Sequence, residues 1–213
     1  MRTALAVAFC ALAGMAGAHD GVVHKDAVEA ARHRAETALP PLGPPTALPF
    51  DVGGAYALTD QWGAARDQAD PDGRYQLLFF GYANCPSICA VAMPLMADVT
   101  TELSERGVAV RPVMITVDPK RDTVDNMDAP LADLHPEFVG LTGSEAELQV
   151  AYDAFGVEIE LAFTDPEYGD VFAHGSHIYL MDGTGEVLTI IPPILDAGRV
   201  SDIVANYALN GGT

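Results

Sequence analysis

Two almost wholly apolar runs, Gln76–Tyr82 and Val108–Val117, constrain this chain more than anything else in it. A strand with no polar face has to be covered on both sides. Helical spacing from Val91 to Leu103 lies between them, so the centre of the fold reads as strand, helix, strand. The turn between the first strand and that helix is Phe80-Gly-Tyr-Ala-Asn-Cys-Pro-Ser-Ile-Cys89. It carries two cysteines four residues apart. Two thiols there can form a disulfide, exchange one, or hold a soft metal.

Other elements follow along the chain. Ala55–Thr59 and the turn Asp60-Gln-Trp-Gly63 predict a small hairpin. Thr123–Leu134 predicts a helix, Phe138–Leu141 a strand, and Glu145–Phe155 a helix stopped by Gly156. Val157–Phe163 alternates as a strand does. His177–Met181 and Glu186–Ile191 flank Asp182-Gly-Thr-Gly185, a hairpin turn, and Arg199–Leu209 closes as a helix. This order predicts an α/β sandwich, a mixed central sheet flanked by helices with an N-terminal hairpin, compatible with a thioredoxin-like fold.

The N-terminus reads as a secretory signal over residues 1–18. Arg2 is the charged start, Ala4–Met15 the apolar run, and Ala16-Gly-Ala18 the cleavage site. The run is short for a membrane span, so no stable span is expected once it is cleaved. Cleavage discards Cys10 and leaves Cys85 and Cys89 as the only cysteines, in an oxidising compartment. Residues 19–49 read as a polar segment, with a short helix from Asp26, and then a stiff linker. Five prolines between Leu39 and Pro49 favour extended polyproline II. The globular domain is expected over residues 50–213. Removing Arg2 leaves 10 basic residues against 30 acidic ones. That balance excludes nucleic acid and anionic membrane surfaces as partners.

A helix N-terminus stabilises thiolates placed at its mouth. Pro94 is expected in the first helical turn, where proline is tolerated. Two thiolates favour Cu(I), and an added imidazole accommodates Cu(II). The candidates for that imidazole are six. His19, His24 and His33 precede the linker, and His135 sits in a helix-ending His-Pro turn. His174 and His177 lie at the start of a strand whose loop can fold over the cysteines. His177 shares strand parity with Tyr179 and Met181, whereas His174 is freer to point at a metal. Met93 and Met96 follow Cys89 at helical spacing and read as core filling. Asp118, Arg121 and Asp122 can form a charged network near the site, and the favoured reading is a turn in which Asp-Pro ends a strand and Thr123 caps the next helix. A new N-terminal amine at His19 can chelate Cu(II) together with its imidazole, with His24 nearby, as an accessory site.

These blocks together resemble the Sco/SenC family of copper-binding cytochrome c oxidase assembly proteins. The resemblance is carried by Leu58-Thr-Asp-Gln-Trp-Gly63, Cys85-Pro-Ser-Ile-Cys89, Thr116-Val-Asp-Pro-Lys-Arg-Asp-Thr123, Gly140-Leu-Thr-Gly143, Ala151-Tyr-Asp-Ala-Phe-Gly-Val157, and His174 with Ile178-Tyr-Leu-Met-Asp182. It implies a thioredoxin-like fold and one copper ion on Cys85, Cys89 and His174. It implies a chaperone that supports assembly of the CuA site, with the CuA-bearing oxidase subunit and a periplasmic copper donor as partners. The alternative is a thiol–disulfide reductase acting on the cysteines of that subunit. A peroxidase ranks last, because no arginine or glutamine accompanies the turn in the pattern of such enzymes. The sequence departs from the family at Ala173, where members usually carry Asp before the histidine, and Asp170 is the candidate substitute. It also has Ala90 where many members have proline, and where many members keep an N-terminal membrane anchor this chain is expected to be released or tethered by other means.

Overall fold

Tyr75–Gly81 has only one uncharged polar side chain, Gln76, between its ends, and it lies buried at the centre of a seven-stranded mixed sheet. The structure is a computed structural model that describes residues 18–19, 22–23, 40–83 and 89–210. Most of the expected signal segment, the helix from Asp26, His24, His33 and Cys85 lie outside the described residues. Contacts divide the chain into two units, residues 1–43 and 44–213. In the first, β1 (Ala18–His19) and β2 (Val22–Val23) form a short antiparallel ribbon.

In the second unit, residues 44–57 carry no helix or strand. Then β3 (Leu58–Asp60) and β4 (Ala65–Arg66) form the expected hairpin. Its turn is held by the buried Asp60 carboxylate, which accepts from the amides of Trp62 and Ala64 at 3.0 and 2.9 Å. β5 (Tyr75–Gly81), α1 (Cys89–Glu105) and β6 (Val110–Thr116) make the central crossover, and β5 and β6 pair in parallel. α2 (Asp128–Leu134), β7 (Val139–Thr142) and α3 (Glu145–Phe155) follow. β8 (Glu160–Asp165) and β9 (Gly169–Ala173) form a separate two-stranded sheet. β10 (Ile178–Met181), β11 (Val187–Ile191) and α4 (Ala197–Asn210) complete the chain. The sheet order is β11-β10-β5-β6-β7-β3-β4.

Alternation along β5 separates two cores. Phe80 points to α3, its ring centroid 6.0 Å from Tyr152 and 5.3 Å from Phe155. Phe79 and Gly81 point to the opposite face, where α1 lies with α4 packed against it. Met93 and Met96 are buried in this second core, as their spacing predicts. No described helix is long and apolar enough to cross a membrane.

α3 has the predicted bounds because both of its ends are chemically marked. Ser144 Oγ accepts from the Glu147 amide, while the Glu147 carboxylate accepts from the Ser144 amide at 2.8 Å. Gly156 terminates the helix in the left-handed region at φ 63°. Ser144→Ala will lower the unfolding free energy by about 1 kcal/mol. A lowered urea midpoint with unchanged slope is the expected reading.

Three expectations are corrected. The segment Thr123–Leu134 is helical only from Asp128, because Asn126 engages the backbone instead. Its Oδ1 accepts from the Thr123 amide at 2.8 Å, and its Nδ2 donates to the Arg121 carbonyl at 2.6 Å. Thr123 therefore caps no helix; α2 begins after Met127 without a side-chain cap. Pro94 is the sixth residue of α1 rather than a first-turn residue. The carbonyl it leaves without a helical partner belongs to Ala90, which is exposed to solvent.

Candidate metal centre

Gly81 ends β5, Tyr82 and Ala83 carry the chain out of the sheet, and Cys89 is the first residue of α1. Cys89 is buried at 2% exposure. Its Sγ lies 3.7 Å from Nε2 of His174, a residue 85 positions away that follows β9. His174 Nδ1 is 2.9 Å from the Gly175 carbonyl oxygen. A carbonyl can only accept, so Nδ1 carries the proton and donates it there. Nε2 is then the nitrogen with a lone pair, and it faces the sulfur. This tautomer can ligate a metal or take a proton from a thiol.

Aromatic rings fix the imidazole. The Phe79 ring stands edge-on at 5.8 Å and the Tyr82 ring at 6.2 Å. Both aromatic residues are buried, whereas His174 is half-buried. Gly81 keeps space between them. A Cβ there would lie 2.7 Å from Phe79 Cε1 and 3.1 Å from Cys89 Sγ.

The segment after β6 holds both arms of this site. Asp122 Oδ2 accepts from the Ala83 amide at 3.0 Å and from Thr116 Oγ1 at 2.8 Å. Burial pushes the Asp122 carboxyl above the ordinary carboxylate value, against the lowering effect of those bonds. Arg121 pairs with Asp118 and donates to the carbonyls of Tyr168 and Asp170 in the β8–β9 hairpin. Asp118, Arg121 and Asp122 thus lie in a charged network near the site as well as in a turn. The signal is in the sequence: four charged side chains, Asp118, Lys120, Arg121 and Asp122, crowd the five residues that follow Val117, one residue past a strand that is buried throughout.

Asp170 does not replace the acidic residue missing at Ala173. Its carboxylate accepts from Thr164 Oγ1 at 2.7 Å across the hairpin, and the Gly175 carbonyl accepts from His174 Nδ1 instead. His177 is exposed at the start of β10. His135 Nδ1 accepts from the Glu137 amide at 3.1 Å, in a cleft shared with Ser104 and Glu105. That cleft is at the far end of α1, about 24 Å of helix from Cys89. Of the three expected donors, Cys89 and His174 come together, and Cys85 lies outside the described residues. A cysteine sulfur and an imidazole lone pair converging on one spot fit copper in chemical character.

The family model for SCO1/SenC matches residues 44–209. The chain belongs to the SCO1/SenC family. A SCO2-like protein of Rickettsia felis is 34% identical over 140 residues, 64% of this chain and 67% of that protein. The copper-bound crystal structure of Arabidopsis thaliana ScoI superposes with a TM-score of 0.68 at 26% identity, covering 74% of this chain and 99% of that one. BsSco, described as a member of the Sco family of cytochrome c oxidase assembly proteins with a disulfide switch, shares the fold at 21% identity and a TM-score of 0.59. It covers 77% of this chain and 97% of its own. Like these Sco structures, the fold is thioredoxin-like.

Proposed function

We propose that this protein is a copper chaperone that holds one copper ion on Cys85, Cys89 and His174 and supports assembly of the CuA site of cytochrome c oxidase. The observation that carries the reading is the approach of His174 Nε2 to Cys89 Sγ at 3.7 Å, with Nδ1 already engaged by Gly175. Sulfur donors suit Cu(I), and the imidazole extends the set to Cu(II). Copper is the cargo, handed on by exchange to the thiolates and imidazoles of the CuA-bearing subunit, after loading by a periplasmic copper donor. Residues 1–18 act as a cleaved export signal and residues 19–49 as a polar segment and Pro-rich linker, so the domain from residue 50 works outside the inner membrane. The copper bound by ScoI of Arabidopsis supports the metal, and the description of BsSco supports the oxidase.

Copper titration of the reduced protein from residue 19 tests this. One ion should bind tightly, with a sulfur-to-Cu(II) charge-transfer band that Cys85→Ala and Cys89→Ala abolish. His174→Ala should change the band and weaken binding, while His177→Ala should leave both alone. An unaltered spectrum and affinity in His174→Ala would refute the ligand set.

A second reading rests on the same pair of atoms. An imidazole lone pair beside a thiol can take its proton, which generates the nucleophile of disulfide exchange. One cysteine thiolate would attack a partner disulfide and form a mixed disulfide. The other would resolve it, leaving the partner's two thiols reduced and Cys85–Cys89 oxidised. Reduction of insulin at a thioredoxin-like rate would favour this reading over copper delivery.

A further inference from the structure

We propose that Arg121 and Asp122 are positioning residues, which set the distance between the cysteine turn and His174 by holding each arm from one peptide unit. The proposal deepens the copper reading and rests on it for the metal measurements alone.

Cys89 and His174 reach each other from two arms that share a backbone ladder only where β10 pairs with β5, from Ile178 onward. The first arm leaves β5 through Tyr82 and Ala83. The second is the β8–β9 hairpin, which pairs with itself and is no part of the seven-stranded sheet. That register fixes the chain four residues beyond His174 and leaves the approach of its imidazole to be set from the hairpin side. Side chains have to do it, and the neighbours Arg121 and Asp122 reach in opposite directions. Asp122 takes the Ala83 amide of the first arm, and its own position is fixed on both sides. Thr116 Oγ1 of β6 donates to its carboxylate at 2.8 Å, and Thr142 Oγ1 of β7 donates to its carbonyl at 2.9 Å. Arg121 takes the second arm. Its Nη1 and Nη2 go to the carbonyls of Tyr168 and Asp170, on either side of Gly169, while Nε goes to Asp118.

The guanidinium is suited to this task because its donors lie in one rigid fork. A lysine has a single nitrogen and cannot reach a carboxylate and two carbonyls in the same plane. The hairpin is shaped to receive it. Gly169 sits at φ +74°, and a Cβ there would lie 2.8 Å from Arg121 Nη1. The Arg121 Cζ also lies 5.4 Å from the centroid of the Tyr82 ring, whose edge contacts reach both Phe172 and His174. The clasp and the imidazole thus share one aromatic side chain.

A turn that only stabilised the fold would lower the melting temperature when cut and leave the site as it was. The test compares Arg121→Met, Arg121→Lys, Asp122→Leu and Asp122→Asn in the reduced, metal-free protein, and then with Cu(II). Arg121→Met should shift and broaden the His174 ring resonances before any metal is added. Asp122→Leu should speed amide hydrogen exchange at Ala83 by about tenfold, the value of one bond to a charged acceptor. Both should weaken Cu(II) binding about tenfold or more and move the charge-transfer band. Asp122→Asn keeps an acceptor for Ala83 and should restore most of these properties, whereas Arg121→Lys should not. Should Arg121→Met fail to fold, Gly169→Ala presses on the clasp from the hairpin side and should give the same shift of His174. Native His174 resonances, native Ala83 exchange and native affinity in folded variants would overturn the proposal, however much their melting temperatures fell. A wild-type protein that binds no copper would sink the copper reading, and the two metal-free measurements would still decide this one.

Discussion

Asp70→Ala will destabilise the protein by about 3–5 kcal/mol. Asp70 has no exposed side-chain surface, and it pairs with Nε of Arg111, whose side chain is only 8% exposed. Arg111 stands in β6 opposite Gln76 of β5, at the middle of the sheet. Its Nη2 reaches the more exposed Asp72 at 2.6 Å. The other oxygen of Asp70 accepts from the amides of Asp72 and Arg74 at 2.9 and 3.1 Å, and the Asp70 amide donates to the Gly183 carbonyl at 3.1 Å. Truncation leaves a buried guanidinium with its main counter-charge removed and frees two amides of the turn before β5. Exposed pairs such as Arg106–Asp202 are worth far less, because water screens them. Replacing both partners, as in Asp70→Leu with Arg111→Met, should cost much less than the single change. Urea melts of the two singles and the double would show it; additive losses would contradict the pairing.

That ion pair also marks the limit of what the residues disclosed. β5 and β6 were readable because they are apolar on both faces, and the same pattern hid Arg111, a lone charge inside a run read only as a strand. α3 was readable to its last residue because its capping box and terminal glycine are local signals. β9 was not foreseen. It is short, carries Asp170, and exists through pairing with β8 and through Arg121, neither of which is a periodic signal. Its turn could have been read, since Asp165-Pro-Glu-Tyr-Gly169 has turn chemistry. Asp165 Oδ1 accepts from the amides of Glu167 and Tyr168 there, which hold its carboxyl below the ordinary value. The choice of His174 over His177 rested on resemblance more than on chemistry. His174 Nε2 lies 3.7 Å from Cys89 Sγ, whereas His177 is exposed.

Phe79→Ala and Phe80→Ala should each cost about 3–5 kcal/mol, yet only the first should disturb the site. Both rings are essentially unexposed and adjacent in β5, so they lose similar burial. Strand alternation sends them to opposite cores. Phe80 contacts Tyr152 and Phe155 of α3 and Tyr179 of β10, at 5.3–6.0 Å between centroids. Its removal loosens α3 against the sheet and leaves the α1 side intact. Phe79 stands edge-on to His174 and occupies the volume next to Gly81 that borders Cys89 Sγ. Its removal opens a cavity beside Cys89 and His174, and the imidazole loses one of the rings that stand edge-on to it. In metal-free protein the His174 ring resonances should move in Phe79→Ala and stay in place in Phe80→Ala. Cu(II) affinity and the charge-transfer band should follow the same division. A site equally altered by both changes would mean that the two cores are coupled through the sheet, and that the orientation of His174 depends on global packing rather than on the ring beside it.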